Sequence, residues 1–273
     1  MTQRPREDAR VSVIIPCFNC AGTLRRAVDS VAAQTWRPLE VLLVDDASDD
    51  DTAQILAELA QDHLDGWVRV IPLTQNRGPA YARNRAWEVA RAPLVAFLDA
   101  DDRWHPRKLE LQCGFMLRHP TAALTSHQSE TVEDGATLST DIKAPMDASP
   151  ITAKQLVWKN TIATRTVVLK RDVPFRFDER KRRCEDYLLW LEMAFAGLDM
   201  RQLDLSLSCA FKAPFGEGGL TKSLWKMQAA ELDTYQRLRR EGLLSRPRYA
   251  AAVTFSTIRF ARRLGIASAR QLA

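Results

Sequence analysis

The strongest constraint on this chain is an alternation of two hydrophobic periods across residues 11–102. Aliphatic and β-branched runs stand at "VSVIIP" (11–16), "LEVLLVDD" (39–46), "WVRVIPL" (67–73) and "LVAFLDADD" (94–102). Between them the apolar residues take helical spacing. Leu24, Ala27, Val28 and Val31 fall at i, i+3, i+4 and i+7, and Ala82, Ala86, Val89 and Ala90 follow Gly78-Pro79. "ASDDDTAQILAELAQ" supplies a third helix, capped by Ser48 or an aspartate, with acids at its positive end. Strands joined by helices pair in parallel and are covered on both faces, so an α/β fold with a mostly parallel sheet is expected.

In such sheets, sites lie beyond the carboxyl ends of strands. Asn19, Asp45, Asp46, Asp99, Asp101 and Asp102 all fall there. Three carboxylates within four residues repel one another unless a metal ion, arginines or water offsets them. Asp99 and Asp101 form D-x-D, and a hard cation bound to a diphosphate would relieve the repulsion. D-x-D alone is weak, because aspartates favour turns everywhere. Its strength comes from the neighbouring Asp45-Asp46 strand end. "PCFNCAGTL" after the first strand has the single glycine Gly22, so a G-x-G-x-x-G dinucleotide fingerprint is absent, as is a Walker lysine loop.

The second half is less regular. A helix carrying Leu109, Cys113, Met116 and Leu117 follows His105-Pro106, and short strands are predicted at 121–128 and 162–170. Residues 129–150 read as a loop, "CEDYLLWLEMAFAG" (184–197) as a buried helix ended by Gly197, and 205–212 as a last strand. "APFGEGGLTKS" reads as mobile, and the chain is helical from about 222 onward.

At 273 residues the chain suffices for one large domain, or a domain with an appendage. No stretch approaches the ~20 apolar residues of a membrane span, and the charged start "MTQRPREDAR", which leads straight into a strand, is not expected to act as a signal peptide. Five cysteines without an export signal are expected to be reduced. Cys17 and Cys20 form C-x-x-C, either a redox or metal pair or two small residues lining a strand end. The absence of a second ligand pair at suitable spacing favours the latter. After Glu241 there is no acid, whereas Arg246, Arg248, Arg259, Arg262, Arg263 and Arg270 are all basic. That tail points to an anionic partner or to a solvated basic helix.

The segments "VSVIIPCFN", "LEVLLVDDASDDDT", "NRGPAYARNRAWEVARAPLVAFLDADD" and "FDERKRRCEDYLLWLEMA" together resemble glycosyltransferase family 2, the inverting, nucleotide-sugar-dependent enzymes of GT-A fold. The resemblance implies a Rossmann-like sheet in a catalytic domain over 8–215, with a nucleotide-sugar half (11–102) and an acceptor half (103–215). A lid-like loop and basic helical extension would follow over 216–273. It implies that Pro16 and Asn19 sit near the base and that Asp46, with Asp45 beside it, accepts a hydrogen bond from uracil. Asp99 would contact ribose or the metal shell and Asp101 would ligate Mn²⁺ or Mg²⁺, with Ala100 between them. Asp102 would cap the next turn. Arg77 or Arg83 would offset diphosphate charge, while Arg85 and Arg91 read as a solvated helix face. Asp186 would be the catalytic base and Glu185 its positioning partner.

The four histidines precede the region where some relatives place a metal- or diphosphate-binding histidine. Either Lys212 or Lys222 would then replace it, or the metal has no protein ligand beyond the D-x-D; Gly216, Gly218 and Gly219 would let the segment close as a lid over donor or give it ordinary loop flexibility. The implied function moves a sugar from a UDP-sugar to a glycan or lipid-linked glycan in bacterial-type surface polysaccharide synthesis. The expected location is cytoplasmic, peripheral on the inner face of the plasma membrane. Phe255, Ile258, Phe260, Leu264 and Ile266 with the tail arginines would contact an anionic membrane, pack on the domain, or form a homodimer contact. Nucleic acid is not expected, since no base-stacking aromatics interleave with the arginines. A non-catalytic nucleotide- or glycan-binding module and a sugar-nucleotide pyrophosphorylase are the alternatives; the latter normally shows a glycine-rich basic loop after its first strand.

Overall fold

The four predicted N-terminal strands are β1 (Asp8–Cys17), β2 (Arg37–Asp45), β3 (Val68–Pro72) and β4 (Leu94–Phe97), parallel in the order β3-β2-β1-β4. They come from a computed structural model that describes residues 8–63, 65–132, 147–211 and 224–271. Helices α1 (Leu24–Ala32), α2 (Thr52–Asp62) and α3 (Pro79–Val89) connect them. Successive strand residues divide between two cores. Ile14, Leu42, Val44, Val95 and Phe97 face one, and Val13, Ile15, Val41, Leu43 and Ala96 the other. Both faces are dry, which is why these strands read as continuous apolar runs rather than alternating ones.

The fourth strand ends at Phe97, not at 102, because the backbone turns: the Asp102 N–H donates to the Asp99 carbonyl at 3.1 Å. After the turn come β5 (Arg103–Trp104), α4 (Lys108–Arg118), β6 (Leu124–Thr131), β7 (Ala148–Pro150), α5 (Ala153–Trp158), β8 (Val168–Lys170), α6 (Glu185–Phe195) and β9 (Met200–Ala210). The sheet continues β4-β8-β6-β9-β5, with β8 antiparallel to β4 and β6, and β7 on the edge of β9. The strand predicted at 162–170 shrinks to β8, preceded by a helical turn at Thr164–Thr166. The loop predicted at 129–150 contains the end of β6 and all of β7; residues 133–146 lie outside the described ones. Helix α5 is additional to the predicted elements, although its capping box is legible: Thr152 Oγ1 accepts from the Gln155 N–H at 3.2 Å, and Gln155 Oε1 from the Thr152 N–H at 3.0 Å. Leu117, placed on the buried face of α4, is exposed. So is Val89 at the end of α3.

Helix α6 is apolar on nearly all sides because it is enclosed, with Leu188, Leu189, Trp190, Leu191 and Met193 at most 1% exposed. Gly197, with φ 75°, supports the stop after it. Two long helices, α7 (Leu224–Arg240) and α8 (Arg246–Gln271), pack as a hairpin on α5 and α6. Tyr235 of α7 is fully buried and donates to the Val157 carbonyl at 3.1 Å. Two tail arginines turn inward. Arg259 donates to the Trp158 carbonyl at 2.8 Å and pairs with Glu231, and Arg263 lies 3.7 Å from Glu231. Ala252 and Phe260 are buried in the hairpin, whereas Phe255 and Ile258 are exposed. The side chains of Ile266 and Arg270 lie outside the described residues. Among the described residues, no helix is long and apolar enough to cross a membrane.

Candidate active site

The carboxyl ends of β1 and β2 are tied together by the loops that leave them. Asn19 Nδ2 donates to Asp49 Oδ1 at 2.6 Å, and the Asp49 N–H returns to Asn19 Oδ1 at 3.0 Å. Pro16, half-buried in β1, pairs in register with Val44 of β2. Asp45 Oδ1 accepts from the Ser48 N–H at 3.0 Å and hydroxyl at 2.6 Å. Ser48 is therefore committed to Asp45, and Asp50 accepts the Thr52 N–H at 2.9 Å at the start of α2.

Asp46 has a separate task. It is 3% exposed, with Oδ1 accepting from the Arg77 N–H at 2.8 Å and Oδ2 from the Gly78 N–H at 2.7 Å. Both oxygens thus hold the loop that opens α3. Asp45 is the more open member of the pair. The Asp46 contact requires a glycine at 78, where φ is 90° and a Cβ would lie 2.8 Å from Arg182 Nη1. Gly78→Ala is expected to lose ~1–3 kcal/mol of stability, read as a shifted urea midpoint with an unchanged slope.

Non-glycine residues with left-handed backbone are confined, among the described residues, to Asn19, Ala47 and Cys184. The first two follow β1 and β2, and Cys184 precedes Glu185 at the start of α6. Backbone strain of this kind gathers where surrounding structure forces a side chain into position.

The D-x-D turn and the acidic start of α6 meet through one arginine. Arg83, 5% exposed on α3, donates to Asp99 Oδ1 at 2.7 Å and to Glu185 Oε1 at 3.0 Å. It is therefore not a solvated helix cation, and its two terminal nitrogens are engaged by these carboxylates. Burial works against the Arg83 charge, but Asp99 and Glu185 outweigh it and hold the guanidinium above its ordinary value. Burial, then the neighbouring Asp186, raises Glu185 above the usual carboxylate range, against the pull of Arg83. Arg77 is exposed and stacks over Tyr81, 3.9 Å from its ring centre.

Asp102 does not cap the next turn with its carboxylate. It is buried, and its Oδ2 accepts from Arg165 Nη1 at 3.2 Å. Burial pushes it up to about 8 despite that arginine. Arg85 and Arg91 are likewise paired rather than merely solvated: Arg85 reaches Glu88 and Glu179, and Arg91 reaches the fully buried Glu40 at 2.8 Å.

Asp186, half-buried in the first turn of α6, accepts from the Thr164 hydroxyl at 2.8 Å and from the Tyr187 N–H at 2.7 Å. Thr164 and Arg165 escaped sequence reasoning, because neither carries a spacing signal of its own. Arg26 of α1 did too; its Nη2 donates to the Asp101 carbonyl at 3.1 Å and its guanidinium covers the Phe211 ring. Cys17 is buried and Cys20 accepts from the Thr52 hydroxyl at 3.9 Å; all five cysteines are free. Lys212, Gly216, Gly218, Gly219 and Lys222 lie outside the described residues.

No group of three or more metal-ligating side chains exists among the described residues. The D-x-D turn offers hard carboxylate oxygens from Asp101 and, beside its contact to Arg83, Asp99. One or two carboxylates suit a small divalent cation whose other positions go to substrate phosphates and water. The donor set fits such an ion.

The family model for glycosyl transferase family 2 matches residues 12–177. The UDP-Glc:alpha-D-GlcNAc-diphosphoundecaprenol beta-1,3-glucosyltransferase WfaP of Escherichia coli is 30% identical over 201 residues, 71% of this chain and 74% of WfaP. Among solved structures, S. aureus TarS 1-349 in complex with UDP-GlcNAc superposes with a TM-score of 0.69 at 23% identity, covering 93% of this chain and 72% of that one. The mannosyltransferase PcManGT from Pyrobaculum calidifontis, in complex with GDP-Man and Mn²⁺, superposes with a TM-score of 0.65 at 17% identity, covering 99% and 85%. These structures share the GT-A fold, and the sequence matches extend the kinship beyond the fold: the chain belongs to glycosyl transferase family 2.

Proposed function

We propose that this chain transfers a sugar from a UDP-sugar to a hydroxyl of a lipid-linked glycan, with inversion, in the building of a bacterial-type surface polysaccharide. One observation carries the reading: Arg83 holds the D-x-D turn and the Glu185-Asp186 helix start against each other. The Asp99/Asp101 pair, taken as the donor side, and the Glu185/Asp186 pair, taken as the acceptor side, are thereby held next to each other. The WfaP name, with a UDP-linked donor and a diphosphoundecaprenol-linked acceptor, supports the substrate classes.

In this mechanism Asp186 accepts the proton of the acceptor hydroxyl as its oxygen attacks the anomeric carbon. The new C–O bond forms as the bond to the diphosphate oxygen breaks on the opposite face, so one displacement inverts the configuration. Thr164 keeps the Asp186 carboxylate oriented. Asp45, Asn19 and Pro16 line the base end of the donor site. Asp46 shapes that site by fixing the Arg77–Gly78 loop, which leaves the Arg77 side chain to meet the diphosphate. A divalent cation, Mg²⁺ or Mn²⁺, held by Asp101 and Asp99, would supply positive charge to the leaving nucleoside diphosphate.

The test is thermal stability with UDP, GDP, TDP and CMP, each with and without Mn²⁺. UDP at 100 times its dissociation constant should add ~2.7 kcal/mol. The shift should require Mn²⁺ and vanish in Asp101→Asn. A shift with GDP or TDP alone would overturn the base assignment. No shift with any nucleotide would overturn the donor site.

A further inference from the structure

Helix α8 has two unlike faces. Its inward face carries Ala252, Ser256 and Phe260, all buried, together with Arg259 and Arg263 bound toward Glu231. Its outward face carries a stripe, Arg248, Ala251, Phe255, Ile258 and Arg262, at spacings of three, four, three and four, flanked by exposed small residues such as Thr254, Thr257 and Ala261. Every member is exposed, Phe255 by 42% and Ile258 by 61%. An apolar centre is thus closed at each end by an arginine, over roughly 21 Å of helix at 1.5 Å per residue.

We propose that this stripe docks the protein on an anionic lipid bilayer. Phe255 and Ile258 would enter the boundary between headgroups and acyl chains, while Arg248 and Arg262 meet lipid phosphates. Charge decides against a second copy of the chain as the occupant. A two-fold contact through this stripe sets arginine against arginine in either helix direction, and α8 contains no acid to relieve it. An anionic surface complements both ends and the centre together.

The surface also stands close to the chemistry. Phe255 packs edge-on against Trp158 with ring centres 5.7 Å apart, and Trp158 ends α5. The hydroxyl of Tyr187, next to Asp186, donates to the Leu156 carbonyl of the same helix at 2.6 Å. One short helix therefore separates the docking face from the acceptor side. The inference rests on the lipid-linked acceptor reading and deepens it by naming the surface that brings the enzyme to such an acceptor.

The experiment is flotation of the full chain with vesicles of phosphatidylcholine alone, or with about one third phosphatidylglycerol, at about 0.1 M and 0.5 M salt. Binding is expected only to the anionic vesicles and should weaken at the higher salt. Arg248→Gln with Arg262→Gln should weaken it roughly thirty-fold, and Ile258→Ser should weaken it at both salt concentrations. Equal binding to neutral vesicles, no binding, or binding unchanged in both variants would overturn the proposal. So would a dimer on gel filtration that Ile258→Ser converts to monomer, because a second copy would then cover the stripe. The UDP-induced thermal shift is measured on the same samples. A retained shift without vesicle binding removes only the docking surface, whereas vesicle binding without any shift removes the donor reading.

Discussion

Asp186→Asn is expected to lower kcat by ~10²–10⁴-fold, the usual contribution of a positioned general base. Nucleotide affinity and melting temperature should barely change. The amide has nearly the shape of the carboxylate: its oxygen can accept from the Tyr187 N–H, as Oδ1 does, while its NH₂ takes the place of Oδ2 and can donate to the Thr164 hydroxyl. It cannot take the acceptor proton at neutral pH. The helix start favours a negative side chain at this position by only ~0.3–1 kcal/mol, so stability is a poor reporter of the change and kcat a good one. Single-turnover transfer from UDP-sugar, paired with UDP binding, separates the two. A variant that turned over at the wild-type rate would remove Asp186 from the chemistry. Loss of UDP binding in the same proportion would make it a structural residue instead.

The second large effect is expected at Arg83. Arg83→Met should cost ~3–5 kcal/mol, because it leaves Glu185 without its buried counter-charge and deprives Asp99 of its partner as well. For a chain of this size that is a fall in melting temperature on the order of 10 °C. Arg83→Lys should recover only part of it. A single ammonium keeps the charge but lacks the planar fork that reaches Asp99 at 2.7 Å and Glu185 at 3.0 Å together. Combining Arg83→Met with Glu185→Gln should be less damaging than the sum of the two single changes, by ~0.5–3 kcal/mol. Additive losses would show that the arginine and the glutamate act independently. Arg83→Met should also weaken Mn²⁺-dependent UDP binding, since the Asp99 carboxylate would lose the contact that fixes its direction.

Much of the N-terminal half is legible in the sequence itself. Period and strand ends are local properties, so Asp45, Asp46, Asp99 and Asp101 can be assigned to one sheet edge from spacing alone, and the sheet places them there. Spacing does not reach the buried contacts. Asp46 reads as a ligand-facing acid, yet the backbone amides of Arg77 and Gly78 take both its oxygens. Nothing in its immediate sequence distinguishes it from Asp45, which remains more open. The inward turn of Arg259 and Arg263 is equally invisible in the sequence, because it depends on Glu231 of the preceding helix.

Arg83 shows where the boundary lies. Its sequence neighbours identify a helix and a positive charge, both set within a few residues by local geometry. Its partner Glu185 is 102 positions further along the chain. Whether a side chain meets solvent, a diphosphate or a buried carboxylate depends on which distant segment packs over it. Across the first hundred residues the sequence alone therefore determined the order of strands and helices, their parallel pairing and the strand ends at which acids gather. Only the tertiary structure decided which of those charges stay partly open and which are taken up in holding the protein together, because charge pairing depends on distance in space, and packing brings together residues that are far apart along the chain.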